Sequence, residues 1–270
     1  MNMFCLFFSL VVFIQSVSTD FKCAPTSTSI QQRLDQVYIP GISIVVVNRN
    51  QTLYQKAIGY QSPPISVSDK RQPMNVSSSI FVLASISKTF IAVAAMQMVE
   101  LNRLNLDEDI HKYLPTGMII RHPQYSNVTI TTRHLLTHRA AIGQNMDEEV
   151  KFYLPEDDFT KTDLGQVIEN FLSKNASWLP YAPGGNTTFY SNIGACLAAF
   201  IVQRLANMSF EDYVRQKILN PLGINKNQAG YRLSNFPDRK QLVGHYIYNA
   251  SYLQQYQTLL PQLNISQVNL

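Results

Sequence analysis

Ser85-Ile86-Ser87-Lys88 opens the stretch that decides how this chain reads: residues 85–104 run Ser-Ile-Ser-Lys-Thr-Phe-Ile-Ala-Val-Ala-Ala-Met-Gln-Met-Val-Glu-Leu-Asn-Arg-Leu. Apart from Gln97, Glu100 and a few flanking polar residues the run is apolar. The predicted helix therefore shows apolar residues on most of its faces and should pass through the middle of a domain. Ser85 stands at its mouth, where free backbone N–H groups and the positive end of the helix dipole can stabilise a developing oxyanion. Lys88 lies one turn in, on the same side, where it can act as base to a serine nucleophile. The tetrapeptide alone is also what a helix N-cap serine and a lysine with its stem along an apolar surface look like. With 22 serines and 11 lysines in 270 residues, chance supplies about one Ser-x-x-Lys, so context must decide.

The first segment, Phe4-Cys5-Leu6-Phe7-Phe8-Ser9-Leu10-Val11-Val12-Phe13-Ile14, ends at Gln15 and is followed by the small residues Ser16, Val17, Ser18 and Thr19. It reads as a secretory signal peptide over residues 1–19, without the usual basic start. This apolar core is shorter than the ~20 residues that span a bilayer, so the sequence predicts a soluble, exported protein without a stable membrane span. Eight Asn-x-Ser/Thr triplets agree with export: they begin at Asn50, Asn75, Asn127, Asn175, Asn186, Asn207, Asn249 and Asn264. Composition alone would give about three. Once Cys5 leaves with the signal, only Cys23 and Cys196 remain, too few for a disulfide framework; the apolar setting of Cys196 favours a buried free thiol over a Cys23–Cys196 bridge. The net charge of +4 contains no basic run, so nothing points to nucleic acid or to an anionic membrane.

Along the chain, residues 27–37 read as a short helix stopped by Pro40-Gly41. Residues 41–47 and 52–59 read as two strands joined by the turn Asn48-Arg49-Asn50-Gln51. Beyond the Ser85 helix the patterns are mostly helical, at 132–137, 163–173, 193–205 and 210–219. Strands followed by helices predict an α+β arrangement with a helical insertion.

Tyr190-Ser191-Asn192 is the second constellation. It follows Pro183-Gly184-Gly185 and precedes an apolar helix, so a phenol and an amide two apart can face one cleft, as proton acceptor and hydrogen-bond donor. Tyr125-Ser126-Asn127 is a second copy, but Asn127 opens a glycosylation triplet and a glycosylated asparagine cannot line a closed site. His134 and His138 have i, i+4 spacing, yet Leu135 stands where a metalloprotease helix carries glutamate, which favours a structural role over a metal. The acidic groups Asp107-Glu108-Asp109, Asp147-Glu148-Glu149 and Glu156-Asp157-Asp158 read as helix starts and solvated turns.

In chain order, five segments resemble the serine β-lactamase and penicillin-binding-protein superfamily, in its class C β-lactamase-related branch of serine hydrolases and esterases. They are Leu83-Ala84-Ser85-Ile86-Ser87-Lys88; Leu104-Asn105-Leu106-Asp107 with Lys112-Tyr113-Leu114-Pro115; His134-Leu135-Leu136-Thr137-His138; Pro183-Gly184 before Tyr190-Ser191-Asn192; and Pro221-Leu222-Gly223-Ile224. The resemblance implies a β-lactamase/transpeptidase-like fold, an antiparallel sheet flanked by helices plus an all-helical subdomain. It also implies acyl transfer on a small-molecule or peptide amide or ester, with no cofactor and no metal. Ser85 would attack the carbonyl, Lys88 and Tyr190 would share the role of base, Asn192 would hydrogen-bond the substrate amide, and the Ser85 N–H would form half of an oxyanion hole.

Departures from the family pattern matter as much. No Lys-x-Gly or His-x-Gly follows Asn192, although the family carries such a motif on a later strand, and Arg139-Ala140-Ala141 stands where relatives usually have Thr-Ser-Gly. The expectation is an incomplete domain over residues 20–270 that lacks the later strands. Residues 20–84 would be the start of its α/β part and 85–240 its mainly helical part, with the hairpin's apolar face left exposed. A binding protein of the same fold without turnover is the alternative.

Overall fold

A computed structural model describes residues 26–63 and 70–246, together with residues 254, 255, 257 and 258. The signal-like segment, Cys5, Cys23, Asn249 and Asn264 lie outside the described residues. Leu83–Pro237 forms one compact unit, and the described parts of Leu6–Val82 and Asp238–Leu270 form another.

The smaller unit begins with helix α1, Ser27–Gln36, whose N-cap Thr26 accepts a 3.1 Å hydrogen bond from the Ser29 N–H. Strands β1, Gly41–Val47, and β2, Thr52–Gly59, pair antiparallel, with Gly41 opposite Gly59 and Val46 opposite Tyr54. Their turn is set by Asn48, whose Oδ1 accepts from the N–H groups of both Asn50 and Gln51 at 2.9 Å. At the other end the chain must pass very close to itself. A Cβ on Gly59, at φ +82°, would meet the Pro40 carbonyl oxygen at 2.3 Å. Among the described residues the sheet has these two strands alone. Val45 and Val47 are more than 60% exposed. The segment at Ile80 runs parallel to Leu242, with the Val243 N–H donating to the Ile80 carbonyl at 2.9 Å.

The larger unit is helical. A 3₁₀ turn, Ala84–Ile86, leads into α2, Ser87–Glu100; α3, Thr132–Leu136, α4, Met146–Glu149, and α5, Leu164–Leu172, follow. Next come α6, Asn192–Ala206, and α7, Phe210–Val214, which continues as a π turn over Arg215–Leu219. Side-chain caps start several of them: Asp163 accepts from the Gln166 N–H at 2.8 Å, Ser191 from Gly194 at 3.1 Å and Ser209 from Asp212 at 3.0 Å.

The expectation that the Ser85 helix runs through the middle is corrected. The central element is α6, buried at every position from Asn192 to Val202 and packed against α2, α3, α5 and α7. With α6 in the centre, α2 buries a single stripe, Ile91, Ala94, Ala95 and Met98, at the spacing of one helix face, while Val93 and Met96 are each 45% exposed.

Candidate active site

Ser85 enters the site through a strained turn. Ala84 has φ +44°, a left-handed conformation that L-residues with a Cβ adopt at a cost, and it turns the chain sharply before α2. The residues at the helix-cap positions are Leu83 and Ile86, not Ser85. The serine hydroxyl is instead the meeting point of one local and one long-range group. Lys88 Nζ donates to Ser85 Oγ at 3.2 Å from one turn along, as the i, i+3 spacing requires. Tyr190 Oη donates to the same oxygen at 2.5 Å. Lys88 Nζ also sits 4.8 Å from the centre of the Tyr190 ring, so serine, lysine and tyrosine form one closed cluster.

Tyr190 reaches Ser85 because residues 183–191 are held against the segment after α3. His138 contributes three contacts: its ring lies against the Tyr190 ring, centroids 4.6 Å apart, its Nδ1 accepts from the Ser191 N–H at 3.2 Å, and its carbonyl accepts from the Phe189 N–H at 2.9 Å. Acceptance at Nδ1 requires that a neutral His138 carry its proton on Nε2. Burial, and then the nearby Lys88 charge, hold the His138 imidazole below its usual range, which favours that neutral form. His138 itself has φ +57°, so strained backbone flanks the cluster from both sides.

Arg139 fastens the preceding turn, donating to the carbonyls of Gly185 at 2.6 Å and Gly184 at 2.8 Å. Gly184, at φ +79°, lies over His134, where a Cβ would come within 2.8 Å of the imidazole. His134 caps its own helix with Thr131, and burial and the Arg139 charge lower its pKa.

The other sequence candidates separate cleanly. Asn192, buried in the first turn of α6, stands two residues beyond Tyr190, whereas Tyr125 packs edge-on against His122 with centroids 5.0 Å apart. Asn50, Asn75, Asn127, Asn175, Asn186 and Asn207 are all exposed. The acidic groups are used in pairs and turns: Asp107 with Arg133 at 2.7 Å, Glu108 with Lys112 at 2.7 Å, and Asp157 accepting from the Leu233 N–H at 2.7 Å. Among the described residues no group of three His, Cys, Asp or Glu is placed to hold a metal ion. Cys196 is buried in α6, and burial pushes its thiol up to about 12.

His138 is the contributor that sequence reasoning set aside as structural. Its signal was present in the His134-Leu135-Leu136-Thr137-His138 segment. Spacing of four suggests a metal pair or a helix face, not a ring laid against a tyrosine 52 positions away.

Comparisons with known proteins bear on the family and the fold. The sequence pattern of the family described as Beta-lactamase matches residues 27–244. A Bacillus subtilis penicillin-binding protein is 28% identical over 210 residues, which is 78% of this chain and 42% of that protein. Protein flp of Staphylococcus aureus is 26% identical over 220 residues, 81% of this chain and 40% of its own length. Among solved structures, an octameric penicillin-binding protein homologue from Pyrococcus abyssi superposes with a TM-score of 0.66 at 26% identity, over 83% of this chain and 48% of that one. A hydrolase with promiscuous acyltransferase activity, EstCE1, superposes with a TM-score of 0.64 at 23% identity, over 82% and 55%. The chain thus spans about two fifths of the length of these curated relatives and about half that of the solved structures.

Proposed function

Because the chain belongs to the family described as Beta-lactamase, we propose that it is a secreted acyl-transfer enzyme with Ser85 as nucleophile. The observation that carries this reading is the Ser85 hydroxyl held by Lys88 Nζ at 3.2 Å and by Tyr190 Oη at 2.5 Å. In the reaction Ser85 Oγ attacks the carbonyl of an amide or ester while its proton passes to the Lys88–Tyr190 pair. That pair returns the proton to the departing amine or alcohol as the carbonyl–leaving-group bond breaks, and an acyl-serine remains. Water, or another hydroxyl acceptor, then gives up a proton to the same pair and attacks the acyl-serine; the pair passes that proton to Ser85 Oγ as the acyl–Oγ bond breaks and the product leaves. The Ser85 N–H supplies half of an oxyanion hole, and Asn192 orients the substrate.

Export is part of the proposal. It rests on the signal-like first segment and on the exposure of all six described glycosylation asparagines. A second reading, a binding protein of the same fold without turnover, rests on Arg139-Ala140-Ala141, which stands where relatives usually have Thr-Ser-Gly.

A fluorophosphonate probe separates the two. The proposal expects covalent labelling of Ser85, loss of labelling in Ser85→Ala, and ester turnover that disappears with it. Labelling at another residue, or turnover that survives Ser85→Ala, refutes the assignment. Labelling without any turnover favours the binding protein. Secretion is checked by the mass shift on enzymatic deglycosylation of the natural product; an unshifted mass opposes it.

A further inference from the structure

Within Leu83–Pro237, α5, α6 and residues 149–162 line a half-open cavity of about 250 Å³. Phe152, Phe159, Val167, Ile193, Ala199 and Phe210 supply most of its apolar wall. An apolar cavity of ~150 Å³ stays dry and takes up benzene, so one of this size has room for about ten carbon atoms. Asn192, in the first turn of α6 and two residues after Tyr190, also lines it, and is the lining residue nearest in sequence to the serine cluster. Glu149 stands on the wall as well, and burial raises its pKa. Glu211 and Arg232, paired at 2.8 Å, complete the charged part of the lining, and the apolar wall favours an uncharged chain.

We propose that this cavity receives the apolar acyl chain of an ester whose carbonyl lies at Ser85, so that medium-length acyl esters are preferred over acetyl esters. The inference rests on the reading of Ser85 as nucleophile. The chain enters past Asn192, the apolar walls replace its hydration shell, and the carbonyl is left at the serine.

The test compares p-nitrophenyl octanoate with p-nitrophenyl acetate on the full protein and on two variants that fill the cavity from different helices, Ala199→Phe on α6 and Val167→Phe on α5. Val167 is only partly buried and carries the test if Ala199→Phe does not fold. The expected result is a kcat/KM at least tenfold higher for octanoate in the natural protein and an octanoate-to-acetate ratio reduced at least tenfold by filling. An unchanged ratio in folded variants overturns the proposal. Binding of 1-aminoanthracene, followed by its fluorescence, gives a readout that needs no catalysis. If neither ester is hydrolysed, yet both filled variants lose the probe, the Ser85 reading falls and the apolar site stands. Equal probe binding by all three proteins overturns the site itself.

Discussion

Replacing His138 tests whether the serine cluster depends on the residue that holds Tyr190 from behind. His138→Phe keeps a ring against Tyr190 but removes the Nδ1 acceptor of the Ser191 N–H, a bond of 3.2 Å. Leaving a donor unpaired in a half-buried site costs about 1–3 kcal/mol. Phenylalanine also tolerates φ +57° less well than histidine or asparagine. A loss of about 2 kcal/mol in stability follows, which lowers the melting temperature of a unit this size by about 4–8 °C. His138→Asn makes the opposite exchange. Its side-chain oxygen can accept from the Ser191 N–H and it tolerates the left-handed backbone, but the ring contact, worth about 0.5–1.5 kcal/mol, is gone. Because small displacements of a catalytic group can cost about 10²-fold in rate, fluorophosphonate labelling of Ser85 should slow by about 10–100-fold in His138→Phe and much less in His138→Asn. Labelling rates and thermal unfolding are measured on the same preparations. The reasoning is refuted if His138→Phe labels as fast as the natural protein, or if the asparagine variant is as slow as the phenylalanine one.

Three further outcomes are expected. Tyr190→Phe should keep the packing against His138 yet lose about 10²–10⁴-fold in Ser85 labelling, because the hydroxyl 2.5 Å from Ser85 Oγ is removed; labelling within a few-fold of normal would exclude Tyr190 from proton transfer. Burial lowers the pKa of His134 and His138 below the usual 6.5, so the unfolded chain binds protons that the folded one does not. Their contribution to stability is therefore complete above pH 6.5 and lost as pH falls below it. Denaturant unfolding at stepped pH should show a slope of at most about 1.4 kcal/mol per pH unit for each histidine, and a flat profile would contradict it. Cys196, buried with its thiol pushed up to about 12, should resist iodoacetamide in the folded protein and react fully in denaturant without reductant. Rapid alkylation of the folded protein would show that α6 opens.

Local features were legible because their causes are local. The β-branched run in Gly41–Val47, its partner Thr52–Gly59 and the turn at Asn48 gave the hairpin, since strand pairing and an asparagine turn are settled within a few residues. The i, i+3 placement of Ser85 and Lys88 followed from helix geometry, and their order with Tyr190-Ser191-Asn192 carried the family resemblance. Composition around α2 misled, because apolar content does not say which of two apolar helices takes the centre. That depended on α6 packing against four other helices, which left Val93 and Met96 exposed on α2. Two Tyr-Ser-Asn segments were likewise distinguished in sequence only by a glycosylation triplet. The tertiary structure brought Tyr190 to Ser85 across 105 residues and left Tyr125 against His122. It also laid His138 on Tyr190, at a distance along the chain that no periodicity encodes. Sequence by itself determined the helices, the hairpin and the chemical types available. Which of them converge on one hydroxyl was decided by burial of α6 and by the loops it fastens, because such contacts depend on packing summed over the whole unit.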